Sequence, residues 1–212
     1  MKKTISILIV SLLFISCSST RLLDQWKDPN TIDYKTNKVL VIGITKNEEA
    51  RRIFENDLTS KLVIKGVNAV KSIDFFEQSF TSSKKTEEDL TIIENKLIES
   101  GFDAILISKV INSEDKVTFV KAFRNFNDDF KNFKEDYYQN QDIYYSNEYY
   151  EETKIYHAET ALYCICTGKE RELLWRASID ITNPYKAEST IKDYVNLILK
   201  ELKNQKLLIV QD

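Results

Sequence analysis

Residues 38–66 read KVLVIGITKNEEARRIFENDLTSKLVIKG. Five of the seven residues from Lys38 to Ile44 are Val, Leu or Ile, with no polar alternation. That pattern suits a strand covered on both faces rather than one with a wet side. Thr45-Lys46-Asn47-Glu48 then fits a capping box, with the Thr45 hydroxyl capping a helix and Glu48 reaching back. Ala50, Ile53, Phe54, Leu58, Leu62 and Val63 recur at helical spacing on one face. Glu48 with Arg52, and Arg51 with Glu55, are i,i+4 ion pairs assigned to the solvent side. Gly66 is placed to stop the helix. A buried strand running into an amphipathic helix is the start of a βαβ unit, and the rest of the chain is read against it.

Working toward the C-terminus, Val67–Ser72 predicts a short second strand, and Ile73–Thr86 a loop carrying Phe75, Phe76 and Phe80. Thr86–Ser100 predicts a second helix with Leu90, Ile93, Leu97 and Ile98 inward, and Phe102–Val110 a third strand. Two such units make a parallel sheet with right-handed crossovers. Farther on, Ile155–Cys166 reads as a long strand, Thr167–Glu170 as a hairpin turn and Leu173–Thr182 as an alternating strand. In that last strand Leu173, Trp175, Ala177, Ile179 and Ile181 are expected inward, and Arg176, Ser178 and Asp180 outward. Ala187–Asn204 is a helix with Ile191, Tyr194, Val195, Ile198 and Leu202 inward, and Lys206–Val210 adds a short strand or extends that helix. The expected fold is α/β: a two- or three-layer domain over residues 38–212 with a mixed sheet of about five strands. The element order is β-α-β-α-β-(insert)-β-β-α, parallel in its first half and an antiparallel hairpin in its second.

The insert, residues 112–153, breaks the pattern. Phe119, Phe123, Phe126, Phe130, Phe133 and Tyr137 are spaced 4, 3, 4, 3, 4, an aromatic stripe on a helix. Tyr144, Tyr145, Tyr149 and Tyr150 follow in an acidic run that reads as a long loop. Two uses fit the stripe: packing, by covering the open sheet face or making a small satellite core, or docking an envelope partner protein, a glycan or the bilayer itself.

The N-terminus carries an address. Lys2 and Lys3 precede an apolar run from Thr4 to Ile15, too short for a membrane span of about 20 residues and suited to a signal peptide. Leu13-Phe14-Ile15-Ser16-Cys17 resembles a bacterial lipobox. That resemblance implies cleavage between Ser16 and Cys17, removing residues 1–16, and acylation of Cys17. Acyl chains then anchor the protein, each buried methylene contributing about 0.8 kcal/mol. Residues 17–37 form the lipidated N-terminus and tether, in which Leu22, Leu23 and Trp26 are apolar enough to dock on the domain, as an added edge strand. Cleavage removes two lysines and no acids, so the formal charge moves from −3 to −5. An acidic, exported protein is a poor partner for nucleic acid.

Catalytic signatures are missing from the sequence: there is no GxSxG, HExxH, GxxxxGK[ST] or GxGxxG. His157, the single histidine, falls on the opposite strand face from Cys164 and Cys166, which argues against both a metal site and a Cys–His pair. It is expected at the sheet surface, and the two cysteines as buried thiols whose short spacing disfavours a disulfide. No catalytic residue, metal or cofactor is expected.

The WKDP after the tether, KVLVIGIT, EEARRIFENDL and LYCICTGKERELLWRASIDIT resemble a family of small uncharacterised lipoproteins of Bacteroidetes-type bacteria. The order of elements is also similar to curli-secretion-type lipoproteins and to the amino-terminal domain of the Tol periplasmic protein, a likeness of topology. The resemblance implies location and fold and supplies no catalytic residues. The expected protein is a non-enzymatic lipoprotein, anchored in the outer membrane and facing the periplasm, serving binding or assembly. The alternatives are an accessory subunit of a secretion or transport complex, or an enzyme acting on an envelope polymer.

Overall fold

The computed structural model describes residues 19–76, 78–111, 132–141, 155–166, 172–181 and 187–209. Its strands are β1 (Thr20–Lys27), β2 (Val39–Ile44), β3 (Ala69–Lys71), β4 (Ala104–Ile111), β5 (Tyr156–Cys164) and β6 (Leu173–Ile181). Its α-helices are α1 (Glu48–Ile64), α2 (Ser72–Phe75), α3 (Glu87–Glu99), α4 (Phe133–Asn140) and α5 (Ala187–Asn204). The strands form one sheet in the order β1-β6-β5-β4-β2-β3. β3, β2 and β4 are parallel, and β5, β6 and β1 continue antiparallel. The α/β class and the parallel-then-antiparallel plan stand as predicted, with six strands instead of five. The added strand is β1, where Leu22 packs on the core beside β6.

Two apolar layers sandwich the sheet. On one face Val39, Val41, Ala104, Leu106, Leu162 and Trp175 meet Phe54, Leu58 and Leu62 of α1 and Val195, Ile198 and Leu202 of α5. On the other, Leu40, Ile42, Ile105, Ile107 and Tyr163 meet Leu90 and Leu97 of α3 and Phe133 and Tyr137 of α4. β2 is buried along its whole length, as its unbroken apolar run requires. Each such Val, Leu, Ile or Phe contributes about 1.5–3 kcal/mol on burial.

The ends of α1 show why the chain turns where it does. Asn47 is the N-cap, its side chain accepting from Ala50 N at 3.0 Å. Thr45, the predicted cap, sits two residues earlier and accepts from Asn47 N. Its hydroxyl supports the turn, and the helix starts one residue after Asn47, whose side chain makes the cap. At the other end Val67 N donates to Leu62 O at 3.0 Å and Gly66 N to Val63 O at 2.9 Å. Gly66 has φ +82°, a conformation that costs glycine nothing. α3 is capped by Thr86 and Asp89 in a reciprocal capping box.

Several expectations are corrected. Phe75, Phe76 and Phe80 are not on a bare loop: α2 and a 3-10 turn at Gln78–Thr81 carry them onto the second layer, where Phe76 stacks on Phe80 at 4.0 Å. Cys164 and Cys166 are joined by a disulfide with Cα atoms 5.4 Å apart, inside the range a disulfide bridges. β5 ends at Cys164, and Ile165 N donates to Asp103 O at 2.9 Å just beyond it. Asn204 closes α5, and Leu207 makes a parallel bridge to Tyr34, so the C-terminal apolar run is neither a full strand nor more helix.

Candidate functional site

The register puts many chain ends at one end of the sheet. Ile44 ends β2, Ile111 ends β4 opposite His157, and Tyr156 of β5 pairs with Ile181 of β6. Thr20 of β1 also pairs with Ile181. α1 and α5 both begin there. In open α/β sheets this carboxyl end of the parallel strands is where ligands bind.

A cavity of about 340 Å³ lies at that end, between the sheet and the first turns of the two helices. β2 and β4 supply its floor through Gly43, Ser108 and Val110. α1 contributes Ala50, Arg51 and Phe54, and α5 contributes Thr190, Ile191 and Tyr194. Tyr156 and Ile181 close the sheet side. Its size falls in the lower part of the ~300–1,000 Å³ range of ligand pockets.

The polar groups of the floor are tied to the protein. The Tyr194 hydroxyl lies 2.6 Å from both Ser108 Oγ and Thr160 Oγ1. Gly43 N donates to Glu55 Oε1 at 3.0 Å. The same carboxylate accepts from Arg51 Nε at 3.0 Å, Ser72 Oγ at 2.8 Å and, through its other oxygen, Ile73 N at 3.0 Å. Arg51 also donates to Ser72 Oγ. The Arg51–Glu55 pair is therefore not on the wet side. Glu55 is fully buried and joins the head of β2 to the chain after β3. A Cβ on Gly43 would meet Phe54 Cδ1 at 3.1 Å, so any larger residue there needs the Phe54 ring to give by a few tenths of an ångström.

Burial holds the Tyr194 hydroxyl up at about 12, from 10.0, against the opposing pull of its two hydroxyl partners. A raised value means that folding favours the neutral phenol. Its contribution is complete below pH 10 and is lost as pH climbs from 10 toward about 12. Urea midpoints should hold level through neutral and mildly alkaline pH and fall above pH 10. Tyr194→Phe should start less stable and fall less steeply; an equal alkaline slope would assign the loss elsewhere.

On the opposite sheet face, at the same end, lies a buried ionic cluster. Lys109 Nζ pairs with Asp136 of α4 and with Glu159 Oε1 at 2.9 Å. Arg176 Nε lies 3.4 Å from Glu159 Oε1. The Tyr163 hydroxyl donates to Asp136 Oδ2 at 2.6 Å and accepts from Arg176 at 3.3 Å. Lys109, Glu159 and Arg176 are all under a tenth exposed. Burial pulls Lys109 down, but the two carboxylates outweigh it and leave it above the ordinary lysine value. Burial and the Asp136 charge push Tyr163 well up.

This cluster corrects three further expectations. Arg176 and Ser178 do not face solvent; they are buried beside Glu159. His157 is buried rather than on the surface, with Nδ1 2.5 Å from Asp180 Oδ1. It stands on the opposite face from Cys164, as the odd-even spacing predicts. Among the described residues no group of three or more His, Cys, Asp or Glu is placed to hold a metal ion.

Of the predicted partner stripe, Phe133 and Tyr137 are each 2% exposed and belong to the second core layer. For these two the covering use holds and the docking use does not. Phe119, Phe123, Phe126 and Phe130 lie outside the described residues, as do Ser16 and Cys17. The described part of the insert is a helix of eight residues, with Asn132 as its N-cap. Among the described residues no helix is long and apolar enough to cross a membrane.

No family profile matches the chain, and no curated protein matches it. Solved structures do. The PelC dodecamer from Paraburkholderia phytofirmans is 10% identical, over 91% of this chain and 99% of that one, with a TM-score of 0.45. A point variant of the same protein gives 10% identity over 88% and 97%, with a TM-score of 0.39. Lipoprotein GNA1162 from Neisseria meningitidis is 14% identical over 79% of this chain and 98% of that one, also at a TM-score of 0.39.

Proposed function

We propose that this is a non-enzymatic lipoprotein of the cell envelope, anchored through Cys17 on the periplasmic face of the outer membrane, whose α/β domain serves binding or assembly there. The uncharacterised lipoprotein family that its motifs resemble is the family we assign it to. The observation that carries the reading is the position of β1. The strand starts at Thr20, three residues after the lipobox cysteine. Ser19 is already bonded to the domain, its hydroxyl donating to Asp193 Oδ2 of α5 at 2.9 Å. Three extended residues span at most about 10 Å. An acylated Cys17 therefore holds the domain against the bilayer with almost no slack. The end held nearest is the one that carries the cavity.

Cys17→Ala tests this. With labelled palmitate, the parent protein should take up label and fractionate with the outer membrane. The variant should be unlabelled, and either unprocessed or released. A variant that still sediments with the outer membrane would overturn the anchor.

A further inference from the structure

The cavity at the anchor end has a lining that selects the chemistry of its occupant. Ile44, Phe54, Val110, Ile181 and Ile191 provide apolar wall. Most of the polar groups among them are engaged: the Tyr194 hydroxyl with Ser108 and Thr160, Arg51 with Glu55 and Ser72, and the Gly43 amide with Glu55. The Asn47 side-chain oxygen caps α1, and Thr45 Oγ1 accepts from Asn47 N. A sugar, nucleotide or peptide needs polar groups that are available to it, because its own are costly to leave unpaired on burial. A saturated hydrocarbon chain needs none.

Position adds a second argument. Ser19 is fixed to Asp193, on the same two turns of α5 that present Thr190, Ile191 and Tyr194 to the cavity. The chain N-terminal to Ser19 leads within two residues to Cys17. Hydrocarbon is thus delivered beside this cavity, whether on Cys17 itself or in the bilayer it enters. We propose that the cavity is an acyl-chain site that takes one chain. Its proximity to hydrocarbon rests on the anchor reading; the chemistry of its lining does not.

The test uses the full chain purified as Cys17→Ala and titrated with dodecanoate by calorimetry. Saturable binding of one dodecanoate per protein is expected. Ala50→Trp, which puts an indole into the cavity from α1, should weaken it at least tenfold. Ile191→Trp does the same from α5, so the site remains testable if one variant fails to fold. Ile64→Trp lies on the same helix as Ala50 but 83% exposed, and should bind like the parent. No saturable binding, or equal binding by both cavity variants, overturns the proposal. A second arm compares the acylated protein. If dodecanoate binding drops there, the occupant is the protein's own acyl chain; if it is unchanged, the chain comes from surrounding lipid. Should Cys17→Ala still fractionate with the outer membrane while dodecanoate binds, the anchor fails and the acyl site stands.

Discussion

Glu55→Ala should destabilise the domain by about 3–5 kcal/mol, the range for removing one partner from a buried charge pair. Four donors converge on this carboxylate: Gly43 N, Ile73 N, Ser72 Oγ and Arg51 Nε. Its side chain is fully buried, and that of Arg51 is 12% exposed. Alanine leaves two backbone amides without this acceptor and Arg51 without its carboxylate. Glu55→Gln keeps the size and one acceptor oxygen, so it should fall between parent and alanine. Urea unfolding of the three proteins measures the series. A loss under about 1 kcal/mol for alanine, the value of a surface pair, would show that the carboxylate is not the link between the head of β2 and the segment after β3.

The second large effect belongs to the cluster on the other face. Lys109→Met removes one of two cations from a group whose two carboxylates are Asp136 and Glu159. An uncompensated buried carboxylate remains, and the loss should again be about 3–5 kcal/mol. Lys109→Met combined with Asp136→Asn restores neutrality, keeps an oxygen for the Tyr163 hydroxyl and leaves Glu159 with Arg176. The double variant should therefore recover part of the loss, with a coupling energy of up to about 3 kcal/mol. Strict additivity of the two single changes would mean that the charges do not act as a group.

The elements governed by apolar spacing stand close to where the sequence puts them: β2, α1, α3, β4, β5, β6 and α5. Even the inward set on β6 is right for Trp175, Ala177 and Ile179. The charged residues are where reading from sequence fails. Arg51 and Glu55 at i,i+4 look like a solvated pair, and Arg176 and Ser178 look like the wet side of an alternating strand. A polar residue that faces water and one that faces a buried partner leave the same pattern. The partners here come from distant segments: Asp136 from the insert, Ser72 from beyond β3. One signal was available. Arg176 sits between Trp175 and Ala177, and Lys109 lies near the end of the largely apolar AILISKVI, and a charge there needs a countercharge nearby. The cavity was less legible still, because it is made where six elements begin or end, and no single segment carries its shape.

The pairing of β1 with β6 has a consequence in time. Thr20 is synthesised long before its partner Ile181. Contacts so far apart in sequence form late, because the whole intervening chain must close first. Until residues 173–181 have been made and have met β5, β1 has no strand to pair with. The edge of the sheet works as a clock: β1 docks only once β6 is in place, so its pairing marks the completion of the sheet.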